Sequence, residues 1–135
     1  MPVTQHDHVD GNETLLRGVL DRDLKPELDR PVPPDGFSPG SQDTDGISLF
    51  RERFTNFRSV SDCLGQKWSI VRVRAQDCID AGATLTPAPK DSCPPGHVII
   101  PEIRIGLNGA EKMKMKQLRT VLAGLVRAED IVYRP

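Results

Sequence analysis

The chain has 135 residues, of which 37% are hydrophobic and 27% charged, with a net charge of -1; this is one ordinary domain's worth of globular sequence with little to spare for a second core. Twelve prolines and eleven glycines predict few, short regular elements between long loops. No apolar run nears the roughly 20 residues that cross a bilayer, and the N-terminus lacks the basic-then-apolar pattern of a signal peptide, so neither a membrane partner nor secretion is expected.

The small net charge hides a gradient, with -6 over residues 1–46, +2 over 47–101 and +3 over 102–135. That balance argues against a protein built mainly to neutralise phosphate backbones. Cys63, Cys78 and Cys93 cannot all pair within one chain, and their even spacing matches no metal-ligand pair. Reduced thiols and a cytoplasmic protein are therefore expected. Cys63 and Cys78 read as small core residues, and Cys93, in a proline-rich loop, as the most exposed thiol.

Residues 1–13 read as a polar, solvated N-terminal tail, and 14–135 as a single α+β domain. The tail holds His6, Asp7, His8 and Asp10, which would ligate a metal only if further ligands converged on them, so no metal site is expected. Leu15, Leu16, Val19 and Leu20 fit a helical face, while Thr14 to Leu20 fits a short buried strand broken by Gly18; periodicity leaves both open. The stretch from Pro31 to Gly46 has four prolines and three glycines, a long loop whose single aromatic, Phe37, is the natural anchor to the body.

Ile47 to Arg51 reads as a strand after the Asp45-Gly46 turn, followed by a helix over about 56–64 that ends at Gly65. Trp68 to Val73 is the clearest strand by its β-branched and aromatic content. Gln76 to Ala81 predicts a short helix closed by Gly82, and Ala83 to Thr86 a further strand. Gly96 to Ile105 predicts another strand, with Pro101 confining it to an edge or forcing a bulge.

Asn108 as N-cap and Glu111 three residues later suggest a capping box for a helix over Gly109 to Arg127, with Met115, Leu118, Leu122 and Leu125 as its apolar stripe. Ile131 to Tyr133 predicts a last short strand. The expected architecture is α+β: a small mixed β-sheet from segments near 47, 68, 83, 97 and 131, covered by one long C-terminal helix and one or two short helices, with long Pro/Gly-rich loops.

Among residues able to carry chemistry, Lys112, Lys116 and Arg119 fall on one side of the last helix as a basic ridge. Without an aromatic platform beside it, the ridge points to a protein partner before nucleic acid. His97 opens an apolar strand after Pro94-Pro95-Gly96, where an imidazole can face a cleft. Ser92 and Cys93 lie near it in sequence, but no orienting carboxylate completes a triad, so a histidine bonded to backbone is the favoured reading. DGFSPG and IGLNGA lack the spacing of a phosphate cradle, and no cofactor follows from them. Asp21, Asp23, Glu27 and Asp29 alternate with Arg22, Lys25 and Arg30 as balanced surface charge.

The pieces LLRGVL, PPDGF, DGISLF, the Trp68 to Gly82 unit, GHVII and the segment from Lys112 to Val132 follow an order that resembles a group of small, mostly bacterial α+β proteins with no assigned activity. That resemblance implies a small α+β protein and carries no catalytic residue.

Taken together, these features support a non-enzymatic protein–protein interaction or accessory module of a bacterial multi-protein system, of a defence or toxin-control kind. Its partner would be met through Lys112, Lys116, Arg119 and the loop around Phe37. The alternative is an enzyme: LLRG resembles the first-strand arginine segment of ADP-ribosyltransferases, ISLF their serine-bearing strand and PEI their late acidic residue. That resemblance implies NAD as substrate, with Arg17 gripping its phosphates, Ser48 positioning the nicotinamide ribose and Glu102 orienting the acceptor. A nucleic-acid-binding accessory role through the basic ridge is the third reading.

Overall fold

The computed structural model describes residues 2–91 and 93–135. Six strands form one sheet: β1 (Thr14–Leu20), β2 (Ile47–Arg51), β3 (Trp68–Arg74), β4 (Thr86–Pro87), β5 (His97–Ile100) and β6 (Ile131–Tyr133). They lie in the order β4-β5-β2-β1-β3-β6. The α+β class is as expected, and every strand pairing is antiparallel, so the sheet is antiparallel throughout rather than mixed.

The segment that periodicity left open, Thr14 to Leu20, is a central strand. Leu15, Leu16 and Val19 are fully buried, and only a strand with neighbours on both edges and cover on both faces buries successive residues in this way. Leu15 and Val19 join Leu49, Val71 and Val73 on one face, beneath Met115, Leu118 and Leu122 of α3 (Gly109–Leu125). Leu16, Phe50 and Ile70 form a smaller cluster on the other face with Val60 of α1 (Phe57–Leu64). Each such side chain contributes roughly 1.5 to 3 kcal/mol on burial.

Local chemistry sets most element ends. Asn56 caps α1 by accepting from the Ser59 amide at 3.0 Å, and the helix closes on Gly65 at φ +100°. The short helix α2 (Ala75–Asp80) is followed by Gly82 at φ +105°. β5 stops at Ile100 because Pro101 has no N–H for a ladder, well short of the predicted Ile105. β4 is shorter and later than predicted, with Pro87 tolerated because the strand lies at the sheet edge. Asn108 does precede α3, yet its side chain makes no capping bond, and the helix ends two residues before the predicted Arg127, where buried Val126 turns extended.

Two expectations need revision. The N-terminal segment keeps most of its side chains in solvent, as a polar tail does, but it is pinned to the sheet: Val9 is 1% exposed, and the Arg51 guanidinium donates to the carbonyls of Gln5, Asp7 and His8. The charge of Arg51 is buried at the end of β2, and these carbonyls together with Glu13 supply the acceptors it requires.

The thiols are not all reduced either, since Cys63 and Cys93 form a disulfide across a Cα–Cα distance of 5.6 Å. It ties the end of α1 to the loop before β5. Cys93 is therefore not a free reactive thiol, and the argument from thiols to a cytoplasmic protein no longer holds. Cys78 is free and buried as expected, and burial pushes its thiol up to about 12, with the Asp77 charge adding to the effect. No helix among the described residues is long and apolar enough to cross a membrane.

Candidate functional site

The sheet opens at its centre. β1 pairs with β3 along its whole length, but with β2 only at Leu15–Arg51 and Leu16–Phe50. Beyond Leu16 the two strands part, and the Ser48 carbonyl meets an arginine side chain instead of a strand amide. Arg17 Nη1 donates to that carbonyl at 2.9 Å, Nε to Gly36 O at 3.2 Å and Nη2 to Ser38 O at 3.5 Å. The guanidinium also sits 5.6 Å from the centre of the Phe37 ring.

Arg17 thus clasps the Pro34–Phe37 turn and the loop after it against the split in the sheet. A cleft of about 470 Å3 follows this split, with Arg17, Gly18, Asp43, Ser48, Leu64 and Trp68 among its walls.

The electrostatics of Arg17 are unusual for a buried cation. It is 8% exposed, and no carboxylate lies within ion-pair distance of it among the described residues. Burial pushes its pKa down to about 10, opposed by the charge of Asp43, so it remains charged at neutral pH. Three of its five N–H bonds are directed at carbonyls, which leaves two donor hydrogens on a buried positive charge.

Ser48 is half-buried on β2, and its hydroxyl bonds His97 Nε2 at 2.8 Å. The other ring nitrogen, Nδ1, lies 2.6 Å from the carbonyl oxygen of Ala88. His97 is 1% exposed, with the Phe50 ring against it at 5.3 Å in an edge-on arrangement. Burial lowers the His97 pKa, reinforced by the charge of Lys90 and opposed by the Ala88 bond and Asp43. The favoured sequence reading, a histidine bonded to backbone, describes Nδ1; the bond between the Ser48 hydroxyl and Nε2 has no counterpart in it.

The three residues assigned through the transferase resemblance are not brought together as a set. Arg17 and Ser48 meet in the cleft. Glu102 lies in the turn after β5 and accepts from the Thr84 amide and hydroxyl at 2.8 and 2.6 Å. It borders a different depression, shared with Arg104, Leu107 and Glu111.

The partner-binding set also divides. Phe37 is fully buried, so it anchors its loop and offers no surface to a partner. Arg119 turns inward to Asp35 at 3.3 Å, a bond that ties α3 to the Pro34–Phe37 turn. Lys112 and Lys116 face solvent. Ser92 lies outside the described residues. Among those described, no group of three or more His, Cys, Asp or Glu is placed to hold a metal, and His6 and His8 are exposed on the N-terminal segment.

The residues that sequence reasoning missed are the loop 38–43, Asp43, Gly18, Leu64 and Trp68. No short motif marks them, because they reach one cleft from four separate parts of the chain. Comparison with protein-family descriptions, curated proteins and solved structures gave no match.

Proposed function

We propose that the cleft at the split between β1 and β2 binds a phosphate-bearing nucleotide, NAD in the form the transferase resemblance implies. The phosphates would sit on Arg17 and the nicotinamide ribose at Ser48. The observation that carries this reading is the buried Arg17 guanidinium, which has no carboxylate partner among the described residues. A buried charge is costly unless paired, and an anion with several oxygens would use the two donor hydrogens that the carbonyls leave free.

The cleft volume of about 470 Å3 falls in the usual range for small-molecule sites. Trp68 and Leu64 add an apolar wall suited to a flat ring. With Glu102 committed to Thr84, sugar recognition falls to Ser48 and its partner His97.

Calorimetric titration of the purified chain with NAD and with ADP-ribose tests the reading, alongside an assay for nicotinamide release. Binding that weakens at least tenfold in Arg17→Met supports it. Absence of binding by both ligands, or equal binding by the variant, overturns it.

A second reading keeps the accessory-module expectation, on the observation that Met113, 65% exposed, stands among Lys112, Lys114 and Lys116 on the outer face of α3. An exposed apolar side chain on a basic stretch of helix suits an acidic protein surface. Charge reversal at Lys112 and Lys116 together should abolish capture of such a partner; undiminished capture removes this reading.

A further inference from the structure

We infer that His97 is a positioning residue that holds the Ser48 hydroxyl proton inward, so that Ser48 meets the cleft as a hydrogen-bond acceptor and selects ligands that bring it a hydroxyl or N–H donor. The inference rests on the nucleotide reading of the cleft and narrows its ligand class to anions carrying a free sugar hydroxyl.

The argument follows from donors and acceptors. The Ala88 carbonyl can only accept, so the 2.6 Å contact requires the proton on Nδ1. In a neutral ring Nε2 is then a bare lone pair, and the group facing it at 2.8 Å is the Ser48 hydroxyl. That hydroxyl owns one hydrogen, and His97 takes it. Only lone pairs remain for the cleft.

Burial favours the neutral ring. The imidazole is also sealed off: His97 is 1% exposed and is not among the cleft's walls, whereas Ser48 is one of them. A ligand can therefore sense the ring only through Ser48. The same seal argues against His97 passing a proton to a leaving group as a hydrolytic histidine must. Ring and hydroxyl are 49 positions apart in the chain but stand on the adjacent strands β5 and β2.

Two measurements on the full chain test this. Nitrogen-15 NMR of the free protein should show His97 protonated at Nδ1 and bare at Nε2; a proton on Nε2 overturns the inference without touching the cleft reading. Titration should then compare NAD with analogues lacking the 2′- or the 3′-hydroxyl of the nicotinamide ribose.

At least one analogue should bind roughly tenfold more weakly to the natural chain, the scale of one lost hydrogen bond. The ratio should fall to about one in Ser48→Ala, shrink in His97→Phe, where the freed hydroxyl can turn its proton to the cleft and donate as well as accept, and survive in Ser48→Thr, which keeps the hydroxyl. Should His97→Phe not fold, the two Ser48 variants carry the comparison. NAD binding with no discrimination by the natural chain sinks the inference alone, and failure of NAD to bind at all sinks it together with the reading beneath it.

Discussion

Arg51 holds Glu13 in a two-pronged fork, Nε to one carboxylate oxygen and Nη2 to the other, each at 2.7 Å. The pair lies where the N-terminal segment crosses β2, and Arg51 is the largest fully buried side chain of the chain's described residues. Paired guanidinium and carboxylate planes satisfy each other's directional demands, and the backbone carbonyls of Gln5, Asp7 and His8 complete the shell.

Breaking one member leaves the other buried and unmatched. Arg51→Met should therefore cost about 3 to 5 kcal/mol, read as a lower urea midpoint, with amide exchange rising first in residues 5–13. A loss within about 0.5 kcal/mol would show that the fork adds nothing net.

The same pair gives stability a pH dependence of known sign. Burial raises the Glu13 carboxyl, but hydrogen bonds from Arg51 and the Asp10 amide, with the charges of Arg51 and Arg53, outweigh it and hold the pKa below the usual value. A folded-state pKa below the unfolded one, about 4.3 for Glu, means that the stabilisation is complete above the unfolded value and is lost as pH falls through the folded one. The stability gap between the natural chain and Glu13→Gln should be constant at neutral pH and shrink below about pH 4.3. A gap that widens in acid would reverse the assignment.

The Cys63–Cys93 bond closes a separation of 30 residues. On the chain-entropy account a loop of that length is worth about 3.5 kcal/mol. Denaturation with and without reductant, and of the Cys63→Ser, Cys93→Ser double variant, should show this loss, whereas identical midpoints would mean the bond is not formed in solution. The bond also braces the loop that presents the Ala88 carbonyl to His97, so reduction should speed amide exchange over residues 88–96.

Phe37→Ala should cost about 3 to 5 kcal/mol, because the ring is fully buried beneath α3 and faces the Arg17 guanidinium. Its loop forms one wall of the cleft, so ligand affinity should fall with stability. Retained stability with a mobile 35–43 loop would instead separate the loop from the core.

At Gly46 the backbone has φ +150°, and a Cβ there would stand 2.6 Å from the Ile100 carbonyl oxygen, a backbone atom that cannot swing away. Gly46→Ala should destabilise by more than about 1 kcal/mol and loosen the start of β2, two residues before Ser48. An unchanged melting temperature would show that β5 yields at no cost.

Local chemistry makes much of the fold legible in the amino-acid sequence. The strand at Trp68, the helix ends at Gly65 and Gly82, the apolar stripe of α3 and the anchoring of Phe37 depend on interactions within a few residues or on burial of one obvious side chain. Where opposing local forces balance, that legibility ends. Thr14 to Leu20 satisfies two periodicities, and only neighbours on both edges make it a strand. The Cys63–Cys93 pairing was hidden by an odd cysteine count and a spacing that suits several arrangements. Arg17 and Ser48 could be singled out by residue type, but whether they meet depends on β1 and β2 parting after two paired positions. His97 and Ser48 share no local signal, since hydrogen bonding between strands follows sheet register, and register is set by the packing of both faces at once.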